Sequence, residues 1–459
     1  MSLTAHKSAT GQNSHVLVPC RAARPNLKRD LPKAGNIFIA LVSGLLFLSL
    51  SAPLPAEPTA PDTAQNWREC RGDDMSLVVP ACTALIESGA AKGTDLADAY
   101  YYRGYAYDDR NEVDLALADY SQAIELNPSY PEALFNRGVL YYGRRQYDLA
   151  IADYSAAIQL DSSDADSYDN RGSAYGAKGD YDKAIADYTA AIRLHPLDAG
   201  TFNNRGAAYQ HTKQYDLAIA DYSRAIALKP GFVEAYANRG GAFGAMGDYD
   251  KAEADFTKAI ELNPQNPAPY MARAGIYDDR GQHDLAIADY THAVELAPND
   301  PKGYYNRGLA YEFKGEFDLA LADYSKAIDL NPSDPSYYTN RGATHYEKGE
   351  DDAAIQDFDK AIELDPRHAT AYANRGYAYG RKRAYASAIA DLTTAIDLDP
   401  KNAMAYEARG IARWESGQRT EAIDDLKTAL ALNPFLTDAQ TRLGQYQKIL
   451  SGENSLPVN

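Results

Sequence analysis

The sequence predicts an all-α fold, a solenoid of ten helical hairpins with a degraded hairpin ahead of them and a capping helix behind. Three observations predict it. Aligned on itself at an offset of 34, the chain locks into register: Pro128 recurs as Pro196, Pro230, Pro264, Pro298, Pro332, Pro366, Pro400 and Pro434, and only Ser162 breaks the series. With that proline as position 32, ten repeats run from 97–130 to 403–436 without insertion or deletion, and inside them large and small residues recur at helical spacing. Tyrosine is over-used, at 36 residues against two tryptophans, as a packing residue written into every repeat would be. A chain of 459 residues would otherwise suggest two or three globular domains. Repetition instead predicts one elongated array in which each hairpin stacks on its neighbours.

The first element, residues 1–56, reads as a targeting segment. Arg21, Arg24, Lys28, Arg29 and Lys33 flank the 14-residue apolar run Ile37 to Leu50, and Ser51-Ala-Pro-Leu-Pro-Ala56 follows. That run falls short of the roughly 20 residues that span a bilayer and fits the core of a secretory signal peptide. Cleavage is expected after Ala56, although Leu54 only half-matches the small-x-small rule. The alternative is an uncleaved anchor that holds the chain at the inner membrane, facing the periplasm. The long basic flank is also compatible with a translation start near Val16 or Leu17. Either way the mature chain is expected outside the cytoplasm, periplasmic or secreted.

Residues 57–96 are read as a linker and a degenerate hairpin. In the repeat frame Cys70 falls where Gly104 stands and Cys82 where Ala116 stands, the two closest-approach positions of a hairpin. An exported cysteine pair favours a disulfide, and no histidine or further cysteine lies near enough to suggest a metal site. Residues 97–436 are the ten repeats. Residues 437–450, with Leu443 and Gly444 in register, read as a capping helix, and 451–459 as a polar, disordered tail.

Each repeat reads as two antiparallel helices, A and B. Tyr100 and Tyr107 on helix A and Tyr120 on helix B mark apolar faces, while Gly104, Ala116 and Ala123 are where backbones approach. Glycine in the A–B turn (Gly179, Gly247, Gly281, Gly315, Gly349, Gly417) suits a helix C-cap, and the Asn-Pro or Asp-Pro closing most repeats ends helix B. The pattern Tyr100, Arg103-Gly104, Tyr107, Ala116, Tyr120, Ala123, Pro128 resembles the tetratricopeptide signature, over about three quarters of the chain. One departure is systematic, because the family's leucine beside the glycine is arginine in all ten repeats, from Arg103 to Arg409. Aspartate stands at position 23 of every repeat as well, from Asp119 to Asp425. The matched series predicts a repeated structural ion pair, as in Arg103 with Asp119 and Arg239 with Asp255.

The resemblance implies a right-handed superhelix with helix A on the concave face, so that positions 2, 5, 6, 9, 12 and 13 line a groove. Position 6 is asparagine at Asn136, Asn170, Asn204, Asn238, Asn306, Asn340 and Asn374, and alanine at Ala272 and Ala408. Asparagine is a mediocre helix former, and its amide both donates and accepts, which suits the main chain of an extended peptide. The series is similar to the asparagine ladder of O-linked N-acetylglucosamine transferases; the plainer reading is a consensus residue wetted by solvent. Aromatic rings at Tyr101, Phe135, Tyr142, Tyr305, Tyr346 and Tyr377, with acids such as Asp169, Asp278 and Glu312, point to a segment bearing Lys or Arg. Position 5 holds no lysine and position 2 only Lys302, so chaperone C-terminal tails are not expected ligands.

Composition sets the remaining limits. The formal charge is −18, from 64 acidic and 46 basic residues, which repels phosphate backbones. Partners are therefore expected to be basic or neutral proteins or peptides, with self-association possible, and not nucleic acid. No small-molecule substrate, metal or cofactor is implied. His195, His211, His283 and His345 fall at unrelated positions, and Gly240, Gly241, Gly244 and Gly247 mimic a phosphate loop without a preceding strand. Asp161, Asp164, Asp166 and Asp169 lack the glycine and terminal glutamate of a calcium loop. The expected function is a non-catalytic interaction scaffold of exported bacterial type, as Trp67, Cys70 and Cys82 ahead of Asn-Arg-Gly repeats resemble such proteins. The alternative is a structural spacer or a regulatory subunit in the cell envelope.

Overall fold

The computed structural model describes residues 62–451, so the expected signal segment and nearly all of the tail lie outside the described residues. Every regular element among the described residues is an α-helix, from Thr63–Cys70 to Thr437–Ser451. From the second repeat onward helix A starts at the first position of each repeat (Pro131, Ala165, Ala199 and so on). Helix B runs over the same fourteen residues of each, as in Tyr147–Leu160 and Tyr181–Leu194. Helix A of the first repeat is longer, Thr94–Asp109, and starts before the repeat boundary because the chain turns at Gly93, whose φ is +57°. The described residues form two compact units that divide between Ala242 and Phe243.

Local chemistry sets the helix ends. The residue before each closing proline is forced into extended backbone, as at Asn127 (φ −136°, ψ 88°). Asp161 adopts the same conformation (φ −133°, ψ 95°) without a following proline, because its carboxylate accepts from the Ser163 amide at 2.9 Å and hydroxyl at 2.6 Å. The next helix A is capped by an aspartate or asparagine in several repeats, as where Asp334 accepts from the Ser336 amide at 2.9 Å. In the A–B turns the six glycines have φ from +70° to +89°. Asn111, Arg145, Lys213 and Arg383 take the same left-handed turn at φ near +60° without being glycine, the costlier solution.

Packing repeats as faithfully as the sequence. The ring at position 24 of helix B is fully buried in Tyr120, Tyr154, Tyr222, Tyr324 and Phe358, and it lies against the position-8 glycine of helix A. On the outer surface a cation at position 14 reaches back to the preceding repeat's position-18 aspartate, as in Arg144–Asp114 at 2.6 Å and Lys348–Asp318 at 2.7 Å. Such exposed pairs contribute little each.

The ends are closed differently. Cys70 and Cys82 form a disulfide that joins Thr63–Cys70 to Met75–Glu87, with Val78, Ala81 and Leu85 buried around it. Cys82→Ala should therefore destabilise this hairpin by about 2–3 kcal/mol, the worth of closing a short loop. Hydrogen exchange should show lost protection concentrated in residues 63–87, and an unchanged exchange pattern would contradict it. At the other end Thr437–Ser451 covers the last hairpin, with Tyr446 stacked on Trp414 at 3.7 Å.

Candidate functional site

The arginine series organises each repeat. Arg103 donates from Nε to Asp119 Oδ2 at 2.7 Å and from Nη2 to Asp119 Oδ1 at 2.9 Å, a two-pronged bond from helix A to its own helix B. The same pairing recurs in Arg137–Asp153, Arg171–Asp187, Arg205–Asp221, Arg273–Asp289, Arg307–Asp323, Arg341–Asp357, Arg375–Asp391 and Arg409–Asp425. Nη1 makes a third bond that the sequence reading missed. Arg137 reaches Ser121 at 3.1 Å, Arg205 reaches Thr189 at 3.0 Å and Arg239 reaches Ser223 at 2.9 Å, in each case a hydroxyl on helix B of the preceding repeat. That hydroxyl donates in turn to its own helix, as Ser121 does to Leu117 O at 2.7 Å. The signal was legible as a Ser/Thr series at position 25, one residue behind the tyrosine. Arg239 lies in the first unit and Asp255, 6 % exposed, in the second. The guanidinium is thus a rivet between repeats, and in Arg103 and Arg205 the hydrogen bond to aspartate pushes the pKa further up.

The asparagines of position 6 are not equivalent. Asn136, Asn170 and Asn374 are buried, whereas Asn204, Asn238, Asn306 and Asn340 keep part of their surface. Several amides are engaged by position 5 of the preceding repeat: Asn136 donates to the Tyr101 hydroxyl at 3.4 Å, Asn340 to the Tyr305 hydroxyl at 2.6 Å, and Asn238 to Asn203 Oδ1 at 3.0 Å. Asn170, which follows the apolar Phe135, turns its amide to Asp166 O at 2.9 Å. The series therefore first joins neighbouring A helices, and only its part-exposed members also present an amide outward.

The aromatic residues expected to line the groove are mainly packing residues. Tyr101, Phe135, Tyr346 and Tyr377 are each at most 8 % exposed. Tyr101 packs on Tyr130 at 4.8 Å between ring centres, Phe135 on Tyr154 at 5.8 Å, Tyr305 on Tyr337 at 4.9 Å, and Tyr142 on Tyr147 at 5.5 Å. The Arg381 guanidinium covers Tyr346 at 3.5 Å. The reason is geometric: a large ring at position 5 is drawn between adjacent A helices, where it buries more apolar surface than it would standing above them. Two acids are tied inward as well. Glu312 accepts from the core Tyr324 hydroxyl at 2.7 Å, and Asp278 pairs with His283 Nδ1 at 3.0 Å; burial pushes both carboxyls up.

The stretch from 165 to 242 is built differently. Positions 9 and 12 carry Ser173, Ala207 and Gly241, and Gly176 and Gln210, with no aromatic ring at either position in these repeats, whereas Tyr142, Tyr346 and Trp414 stand at position 12 of others. A Cβ added at Gly176 would sit in ordinary contact with the Tyr188 hydroxyl at 3.9 Å and Ala184 Cβ at 4.0 Å, so a small side chain is tolerated there without a clash. Polar side chains link the A helices of this stretch, Asn204 bonding Asp169 and Asn238 donating to Asn203 Oδ1 at 3.0 Å. Burial pushes the Asp169 carboxyl up to about 7, with Thr201 and Asn204 partly offsetting and Asp198 and Asp166 adding to the effect. An acid whose pKa is raised on folding favours the folded state below its unfolded pKa, and that contribution is lost as pH climbs towards 7. Asp169→Asn should accordingly leave stability unchanged near pH 3.5 and raise it at pH 8 by about 2 kcal/mol. Urea unfolding at both pH values checks this, and equal midpoints at pH 8 would refute it.

Sequence comparison decides what these repeats are. Two family models described as tetratricopeptide repeat match residues 131–164, 233–266 and 301–334, and residues 170–231 and 373–437, while one described as TPR repeat matches 104–144, 275–312 and 344–382. This chain is a tetratricopeptide-repeat protein. Among solved structures it is similar to the hetero-tetramer Cut9-Hcn1 of the APC/C, at 18 % identity over 84 % of this chain and 87 % of that one with a TM-score of 0.44. It is similar to yeast Tom70, at 17 % identity over 86 % and 96 % with a TM-score of 0.41. A tetratricopeptide repeat protein from Parabacteroides merdae matches at 22 % identity over 54 % and 98 %, with a TM-score of 0.44. No curated protein matches it in sequence.

Among the described residues three histidines of this tetratricopeptide-repeat array are engaged by neighbours. His211 stacks on Tyr181 at 4.5 Å, His283 stacks on Phe313 at 5.2 Å, and His345 bonds Glu350 at 2.6 Å. Gly240, Gly241 and Gly244 lie inside the helix Val233–Ala245. Of the aspartates near residue 165, Asp161 is bonded to Ser163 and Asp164 accepts from Ser167 at 2.7 Å. Among the described residues no group of three or more His, Cys, Asp or Glu is placed to hold a metal ion.

Proposed function

We propose that this tetratricopeptide-repeat protein is a non-catalytic interaction scaffold that holds an extended polypeptide along its A helices. The observation that carries the proposal is that Asn204 and Asn238 of the first unit keep part of their surface exposed in repeats that carry no aromatic ring at positions 9 and 12. Neighbouring A helices about 10 Å apart match about three residues of extended chain, so amides one repeat apart can meet main-chain groups in register. The strongly acidic composition favours basic or neutral partners over nucleic acid.

The Asn-Arg-Gly repeats and the N-terminal basic and apolar segment favour an exported protein of bacterial type, working in the periplasm or beyond. The Cys70–Cys82 disulfide suits an oxidising compartment, and no helix among the described residues is long and apolar enough to cross a membrane. The test is the combined variant Asn204→Ala, Asn238→Ala, Asn306→Ala. Recovery of bound polypeptide in pull-downs should fall to background while the helical circular-dichroism spectrum persists. Recovery equal to wild type would favour a spacer that assembles through other faces.

A further inference from the structure

Two acids at position 5 of A helices, Asp169 and Glu407, hold a buried carboxylate oxygen without a partner, and Asp169 is the one beside the part-exposed Asn204. It sits at position 5 of Ala165–Lys178, in the place where other repeats put Tyr101, Phe135 or Tyr305. Its Oδ1 is buried without a hydrogen-bond partner, although a carboxylate oxygen left unmatched in a low-dielectric setting is costly. The groups that face it are Thr201 and Asn204 on the next A helix, together with Asp198 and Asp166. None of these is a cation. Asp198 is itself occupied, accepting from the Gly200 amide at 2.9 Å and the Thr201 hydroxyl at 2.8 Å. Asp169 is therefore hydrogen-bonded by Thr201 and Asn204 but keeps one buried oxygen, Oδ1, without a donor.

The surroundings say what could supply that donor. The residue as a whole is only part-buried, and the flanking positions Ser173, Gly176 and Ala207 are small. An aspartate carboxylate turns about its terminal torsion at little cost, so one oxygen can swing to an entering group. A cationic side chain would satisfy the carboxylate and offset the nearby negative charge of Asp166 and Asp198. Asn204 and Asn238 on the two following A helices would then bond the main chain to either side.

We infer that Asp169 is the specificity-determining residue of the stretch from 165 to 242, receiving a lysine or arginine side chain of the bound polypeptide. The inference rests on the groove reading above and adds the partner's chemistry. Burial of the carboxyl agrees with it, since an arriving cation restores the ionised form that burial disfavours.

The experiment uses the full chain and libraries of end-blocked decapeptides, random except at one central position fixed as lysine, arginine, norleucine or glutamate. Retained peptide is quantified by mass spectrometry. Lysine and arginine libraries should be retained at least tenfold better than norleucine, with glutamate weakest. Asp169→Asn, which keeps the shape and removes the charge, should erase the preference, so that lysine and arginine peptides are retained no better than norleucine peptides. Ala207→Phe, which puts a ring at a groove position of the same A helix as Asn204, should lower retention of all four libraries. Retention with no preference for a cation, or a preference that survives in Asp169→Asn, overturns the inference and leaves the groove reading standing. Retention of none of the libraries overturns both.

Discussion

Replacing Arg205 by alanine is expected to destabilise the array by about 3 kcal/mol, measured as a fall in the urea midpoint at unchanged slope. The side chain of Arg205 is 16 % exposed and that of Asp221 9 %, so most of the pair is shielded from water. Removing the guanidinium leaves the Asp221 carboxylate without its bonds of 2.7 and 2.8 Å and strips Thr189 of a donor at 3.0 Å. The loss is that of a lone buried charge and not the net worth of the pair. Replacing both partners, as Arg205→Met with Asp221→Leu, should therefore recover much of the stability. Because the arginine also ties two repeats together, hydrogen exchange should rise on both sides of it. A midpoint within 0.5 kcal/mol of wild type, as a rough limit, would mean that neither set of bonds matters.

The second large effect is steric. A Cβ built on Gly308 stands 2.8 Å from Cε1 of Tyr324, closer than real side chains approach. Tyr324 is fully buried, and its hydroxyl is held by Glu312 at 2.7 Å, so the ring has little room to retreat. Gly308→Leu should cost about 3 kcal/mol or more through overpacking and loss of that bond. Repeat six supplies a control, since it carries Ala274 at this position beside Tyr290, which stays 4 % exposed. Gly308→Ala should accordingly be milder, because one methyl can be met by a small shift. A Gly308→Leu and Tyr324→Ala double variant should be more stable than the sum of its parts predicts, by about 2 kcal/mol. Strict additivity would show that the glycine and the tyrosine do not share the contact.

Both effects were visible as patterns before any coordinates. The recurrence of Arg, Gly, Asp and Tyr at fixed positions follows from identical units stacked identically, so a residue that serves one interface serves all of them. The helix ends were legible for the same local reason, because proline and left-handed glycine act on their own backbone. What spacing could not reveal was the third bond of each arginine, which runs to the repeat before it. A Ser/Thr series on helix B looks like ordinary surface until the stacking turns it towards Arg137 or Arg205.

The candidate site divides along the same line. The sequence alone determined the hairpin array, the cysteine pair at the closest-approach positions and the asparagine series, because each depends on local propensity or on a period. The tertiary structure alone decided which asparagines still face outward. How far Asn204 or Asn136 is exposed depends on what position 5 of the neighbouring repeat offers, and that is an interface between hairpins. The same contact draws Tyr101 and Phe135 into the core and leaves Asp169 with an unmatched oxygen. A period specifies that two helices meet, but burial at their seam is settled by the volumes and polarities of both sides together.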